Sequence, residues 1–366
     1  MNTLIPLSQY ATVYFNILLL FVFIVLVQSF SKELTSDKNI ETKRHLGVFF
    51  LIVVLLYMGL RPISFRFGDM AVYAEDFMKY KYGMPLRVEK DVLFEVFMQG
   101  CSQIMSAGSF FLLCATIYIL PLYFFAKRLF KDYWFYAFFI LVISFSFWAY
   151  GTNGIRNGIA TSLFLFALSR KNKIFIGIWM FLAVSIHTSM IVPTIAYVIS
   201  LFYKNTKMYI VGWALAIPLS LILGSFWENF FMGLGLVEEE RVIGYLSGSE
   251  EYLDQMVEIQ TGFRWDFLIY SATGVFAGWY YTVKKGFDDL LYRHIFSVYL
   301  IANALWILVI RANFSNRIAY LSWFILGIVI IYPLLKVEMF PRQHRILGGI
   351  LAVYFMFTYV LNVTFA

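Results

Sequence analysis

Residues 13–30, 135–150, 295–310 and 346–363 are apolar on every face that a helix can present. A soluble fold would have to bury such stretches under a charged surface, and the chain has little charge to do so. Its 366 residues are 61% hydrophobic and 14% charged, with a mean hydropathy of +0.75, whereas soluble globular domains carry about 25% charge. Roughly 20 apolar residues cross a bilayer as a helix. A closed β-barrel would alternate apolar and polar residues, and no such alternation is present. The expectation is an all-α polytopic membrane protein, a single transmembrane domain over residues 1–366. Its 40 Phe, 25 Tyr and 9 Trp suit lipid-facing surface and interfacial belts.

About twelve segments carry the pattern: 11–30, 46–60, 108–127, 134–150, 155–169, 174–187, 189–203, 208–226, 265–283, 294–310, 318–335 and 346–365. Those at 46–60, 155–169 and 174–203 are short for a full crossing unless tilted, extended by polar ends or re-entrant. The run 174–203 is either one long tilted helix or two helices broken at His187, where His187-Thr188-Ser189 interrupts it. The first apolar stretch lacks a basic leader and an A-x-A-like cleavage site, which favours a retained helix over a signal peptide. Only Cys101 and Cys114 are present, and Cys114 falls within a span, so no disulfide framework is expected.

Charge asymmetry decides between the two readings of 174–203. With the N-terminus outside and a break at His187, 18 of the 29 Lys and Arg fall in inner loops at 31–45, 127–133, 170–173, 204–207, 284–293 and 336–345. Only 7 of the 22 acids do, which leaves +11 inside and −4 outside. Without the break the acidic stretch 228–258 moves to the other side and the asymmetry degrades. Basic residues distributed this way report topology, not nucleic-acid binding. Two outer segments, 61–107 and 227–263, are then long enough to fold. The first ends in an amphipathic stretch after Asp91, suited to an interfacial or bundle-packed helix, and the second has helical potential at 250–260.

Arg61, Arg66, Arg156, Arg264, Arg311 and Arg317 all fall on the outer side, where positive charge is ordinarily sparse. Each alone is explained by snorkelling or a local acid. As a group they match a phosphate-binding pocket, because the guanidinium presents a rigid fork of donors to phosphate oxygens. Asp69 is either a turn residue paired with Arg66 or a carboxylate that orients or deprotonates a sugar hydroxyl, with Glu75, Asp76 and Glu95 as weaker candidates. Gly154 and Gly158, four apart around Arg156, fit close backbone approach. Arg156 opens a helix whose N-terminus would itself attract an anion. His187 is a bundle hydrogen-bonding residue, a phosphate donor or a proton carrier. Arg264 and Asp266 flank Trp265, and residues two apart on a helix do not face each other, which assigns them different partners. His45, His294 and His344 fall on the inner side, and no CxxC, HExxH, Walker A or nucleophile-elbow pattern occurs, so no metal or cofactor is expected.

Gly59-Leu60-Arg61, Gly68-Asp69 with Tyr73, Asn153-Gly154-Ile155-Arg156-Asn157, His187-Thr188-Ser189 and Gly262-Phe263-Arg264-Trp265-Asp266-Phe267 together resemble the EpsG-like family of membrane polysaccharide polymerases, which includes Wzy-type polymerases. Asn157 stands where the family often has Gln, and Met70 where an aromatic or polar residue is frequent. The resemblance implies a metal-independent glycosyltransferase of O-antigen, lipopolysaccharide or exopolysaccharide biosynthesis in a bacterial inner membrane, its site facing the periplasm or exterior. Polyisoprenyl-diphosphate-linked glycans and membrane lipids are the implied partners, with a chain-length regulator as a further candidate. The resemblance carries over Arg61, Asp69, Arg156, His187 and Arg264, while Arg311 and Arg317 join them mainly from topology. Asp69, His187 and Arg156 are the catalytic candidates, and Arg61, Arg66, Arg264, Asp266, Arg311 and Arg317 the substrate-binding candidates. A lipid-linked-sugar glycosyltransferase, an O-antigen ligase and a lipid-linked oligosaccharide flippase are the alternatives. The topology has a direct test. Single cysteines at Glu239→Cys and Lys171→Cys are expected to label from opposite sides of sealed membranes; labelling from one side refutes the break or the span count.

Overall fold

The computed structural model describes residues 5–87, 90–233, 262–312 and 315–364. Every regular element among the described residues is helical. They form two compact units, one of residues 1–194 with 330–366, the other of residues 195–329. The expected outer helix at 250–260 lies outside the described residues.

The first unit contains α1 (Tyr10–Ser31), α2 (Asp37–Gly59), α3 (Met70–Lys81), α4 (Val92–Ser102) and α5 (Ala107–Phe130). It continues with α6 (Trp134–Val142), α7 (Phe145–Thr152), α8 (Ile155–Leu168) and α9 (Lys173–Ile186). The boundary between the units falls within α10 (Ile191–Phe202). The second unit holds α11 (Thr206–Gly233), α12 (Trp265–Trp279), α13 (Leu290–Leu308) and most of α14 (Asn316–Lys336). The chain ends in the first unit with α15 (Gln343–Tyr359). Helix starts follow local chemistry: Ser106, Asn172 and Asp289 each accept a peptide N–H from the first turn of α5, α9 and α13.

Among the described residues seven helices are long and apolar enough to cross a membrane, fewer than the twelve expected. The difference is one of length, not of apolarity. The helices Ile155–Leu168, Lys173–Ile186 and Thr188–Phe202 are apolar but span only 14, 14 and 15 residues, short of the roughly 20 a crossing needs. The segment 134–150 divides at Ile143 and Ser144 into α6 and α7, and Ala107–Val142 counts as one run through a 3-10 turn. Conversely, 46–60 is not short: α2 begins nine residues earlier, at Asp37, and reaches 23 residues. The amphipathic segment after Asp91 is α4, and the 174–203 run is two helices, since His187 adopts extended backbone (φ −150°, ψ 115°).

Polar side chains inside each unit form hydrogen-bonded networks. In the first unit Asn39 Nδ2 donates to the Tyr136 hydroxyl at 3.3 Å, which donates to His344 Nε2 at 2.7 Å. His344 Nδ1 in turn donates to the Lys32 carbonyl at 2.6 Å, which ties α2, α6 and α15 to the end of α1. Lys43, assigned above to an inner loop, is a helix residue 1% exposed, held by Gln28 Oε1 at 2.6 Å and by the faces of Phe135 and Tyr136. In the second unit a neutral network joins four helices. Trp213 donates to Asn303 Oδ1 at 2.7 Å, Asn303 donates to Ser271 and Ser322, and Trp323 donates to Ser271 at 2.7 Å. Such bonds hold helices together in an apolar medium where hydrophobicity cannot.

The two glycines around Arg156 have different duties. A Cβ on Gly158 would lie 2.6 Å from the Tyr150 carbonyl oxygen, a main-chain atom with little room to yield, whereas one on Gly154 would meet nothing closer than 3.4 Å. Gly158→Ala is expected to force α7 and α8 apart and to cost about 1–3 kcal/mol, read as a lower melting temperature in detergent. Gly154→Ala is expected to melt with the wild type; equal loss for both variants would refute the packing account.

Candidate functional site

The break after α9 creates a demand that the rest of the site meets. A helix that starts anew leaves its first peptide N–H groups without intrahelical partners, and in apolar surroundings each must find another acceptor. Thr188 follows the break, and its N–H donates to Asp91 Oδ1 at 2.9 Å while its hydroxyl donates to the same oxygen at 3.0 Å. The other oxygen, Oδ2, receives His187 Nδ1 at 2.8 Å and forms an ion pair with Arg156 Nη1 at 3.0 Å. One carboxylate therefore holds the end of α9, the start of the next helix and the first turn of α8.

Asp91 can do this because it does not cap its own helix. It precedes α4 with left-handed backbone (φ 53°, ψ 38°), a conformation Asp tolerates better than most residues, and it makes no side-chain cap bond to α4. Its side chain is 5% exposed. Burial by itself would push the carboxyl up. Hydrogen bonds from His187 and Thr188 and the charges of His187 and Arg156 outweigh burial and hold it at about 2. An ionised carboxylate only accepts, so His187 Nδ1 carries the proton it donates, and in the neutral ring Nε2 is the basic nitrogen. Among the described residues Nε2 has no hydrogen-bond partner, and the His187 side chain is 19% exposed.

Arg156 is braced on its other side by α3: Nε donates to the Tyr73 hydroxyl at 3.1 Å. Nη2 is left without a partner among the described residues. Asn157 accepts a hydrogen bond from Ser189 at 3.2 Å and so takes part in holding the break. Asp69 reaches the same cluster through its main chain, its N–H donating to Asn153 Oδ1 at 2.8 Å. Gly68 permits the approach: its φ is +63°, and a Cβ there would strike the Asn153 amide. The Gly68-Asp69, Asn153–Asn157 and His187–Ser189 motifs thus meet in one place.

The arginines divide by role. Arg61 is 4% exposed and donates to the main-chain carbonyls of Met58 and Thr152, tying the ends of α2 and α7 while it packs near Phe67 and Phe111. Its Nε is buried without a hydrogen-bond partner among the described residues. Arg66 is exposed, on the short turn before Gly68. In the second unit Arg264 forks onto Asp266, Nε to Oδ1 at 2.9 Å and Nη2 to Oδ2 at 2.6 Å, and stacks 3.8 Å over Phe267. This corrects the assignment of separate partners. Arg264 lies outside the helix (φ −81°, ψ 79°), so helical facing rules do not apply to it. Arg311 lies against Gly224 and 6.0 Å from the Phe263 ring, and Arg317 is in the first turn of α14.

Asp91 itself was missed as a site residue. The acids singled out nearby are otherwise engaged: Asp76 pairs with Lys79 and Arg87, and Glu95 accepts from Tyr80 at 2.6 Å. The available signal was the need of two polar groups, Arg156 and His187, for a counter-charge in apolar surroundings. Among the described residues no three His, Cys, Asp or Glu side chains gather as a metal-ligating group.

Asp91→Asn keeps the left-handed backbone accessible and removes only charge and acceptor strength. It is expected to cost about 1–3 kcal/mol at neutral pH by leaving its donors underpaired. A carboxyl held below its unfolded value stabilises above that value and loses its contribution as pH falls through the folded one. The gap in melting temperature between wild type and variant should therefore stay level from pH 7 to about pH 4 and shrink from there towards pH 2. A gap that closes between pH 7 and pH 5 refutes the assignment.

The family comparison covers all of these motifs. The model of the EpsG family matches residues 46–366, from within α2 to the end of the chain. No curated protein and no solved structure matches the chain. The match takes in the broken hairpin at His187, the Arg156 turn and both units, and the chain belongs to the EpsG family.

Proposed function

We propose that the protein polymerises polyisoprenyl-diphosphate-linked oligosaccharide repeat units into O-antigen or exopolysaccharide, as a multi-pass protein of a bacterial inner membrane acting on its outer side. Membership of the EpsG family supports the polymerase class. The observation that carries the mechanism is the Asp91–His187 hydrogen bond at 2.8 Å, which orients the imidazole and leaves Nε2 without a partner among the described residues.

The acceptor hydroxyl of a newly delivered repeat unit attacks the anomeric carbon of the growing chain. The bond from that carbon to the diphosphate oxygen breaks, and the lipid diphosphate leaves with the electron pair. His187 Nε2 takes the hydroxyl proton, and Asp91 stabilises the imidazolium that results. Arg156, with Nη2 uncommitted, offsets charge on the leaving diphosphate. Arg61, Arg66, Arg264, Arg311 and Arg317 are further candidates for anion contact in this reading, and Asp69 and Asp266 for contact with sugar hydroxyls. In this reading guanidinium groups meet the charge of the leaving diphosphate.

The test is the glycan ladder formed from lipid-linked repeat units in membranes of equal protein content. His187→Ala is expected to slow polymerisation by about 10²–10⁴-fold, the usual worth of a positioned acid–base group, with folded abundance unchanged. Arg156→Lys keeps the charge and loses the fork, and is expected to fall between the wild type and Arg156→Ala. A His187→Ala ladder of wild-type length and rate refutes the assignment of the base. A single added sugar, or translocation with no new glycosidic bond, refutes the polymerase.

A further inference from the structure

The second unit has a separate basic cavity. It has a volume of about 430 Å³ and lies where the connection from α10 to α11 meets the one from α12 to α13. Lys204, Lys207 and Arg293 line it, with Asp288 as the one acid among the lining residues. Asp288 is an incomplete answer to that charge: it pairs with Arg293 Nη2 at 3.2 Å and is itself 73% exposed. Arg293 Nε is buried without a hydrogen-bond partner among the described residues. Thr206 on the cavity wall is the first residue of α11, so the positive end of a long helix opens there as well.

We propose that this cavity binds the phosphate of an anionic phospholipid headgroup. The chemistry asks for an anion with several acceptor oxygens: two ammonium groups, an arginine with an unmet N–H and a helix N-terminus all supply donors. Its surroundings select a lipid over free phosphate. Val283 on the cavity wall is 36% exposed, and Phe202 and Leu290, 84% and 54% exposed, lie within three residues of Lys204 and Arg293 in the chain, which offers acyl chains apolar surface near the basic groups. Both connections are among the loops that charge asymmetry assigns to the cytoplasmic side, where anionic headgroups concentrate and basic pockets between membrane helices hold them. The π-helical turn Tyr280–Lys284 places Thr282 and Val283 on the cavity wall instead of continuing α12.

The full-length protein in phosphatidylcholine nanodiscs, titrated with phosphatidylglycerol and weighed by native mass spectrometry, tests this. Retained phosphatidylglycerol is expected on the wild type, reduced about tenfold or more in the Lys204→Gln/Lys207→Gln double variant and unaffected by millimolar inorganic phosphate. Arg293→Gln is expected to weaken retention further; the lysine variant, altered only at exposed positions, tests binding even where the arginine variant fails to fold. Equal retention by the wild type and the lysine variant overturns the proposal, as does equal retention of phosphatidylcholine. Binding of inorganic phosphate that phosphatidylglycerol does not displace overturns it too.

Discussion

A helix interrupted among apolar side chains must find acceptors for the peptide groups it frees, and in this protein the acceptor is Asp91. Its two oxygens meet four donors, from Thr188, His187 and Arg156. Leaving such part-buried donors underpaired costs about 1–3 kcal/mol. The same charge that caps the break needs cations of its own, which is why a histidine and an arginine stand beside it. Tyr73 braces the arginine, and Asn157 braces Ser189. The arrangement that lets the helix break also orients an imidazole.

Two other buried networks serve packing without net charge. The Trp213, Ser271, Asn303, Ser322 and Trp323 network satisfies each of its bonded groups with neutral partners. The Asn39, Tyr136 and His344 chain ends on a carbonyl. Neutral networks of this kind specify which helices meet and carry little desolvation cost. The Asp91 cluster differs because burying a carboxylate with two basic groups is expensive unless geometry is good.

Arginine shows how far local context decides a side chain's duty. Arg61 ends as a tie between two helix termini, Arg264 as a fork on its neighbour Asp266, and Arg156 as a bridge between Asp91 and Tyr73. All three lie in motifs shared with the same family, and their charge alone does not distinguish them. What does is the supply of acceptors: carbonyls at the ends of α2 and α7, a carboxylate two residues away, and a carboxylate distant in the chain.

Local sequence determined where the chain is helical and that the 174–203 run breaks at His187. The apolar runs were continuous enough to fix their own conformation, and His187-Thr188-Ser189 interrupts one of them with groups that compete for backbone hydrogen bonds. The order of the short motifs was enough to place the chain in its family. Tertiary structure decided the rest. How many helices reach crossing length depends on breaks such as Ile143–Ser144, where the side chains remain apolar on both sides and hydropathy registers no change. Asp91 sits in a polar outer segment beside Lys90, where acids are ordinary. Only the fold brings it across 96 positions to His187 and buries it there. Burial and ion pairing are properties of which segments meet, and that is set by packing between helices, not by the residues adjacent in the chain.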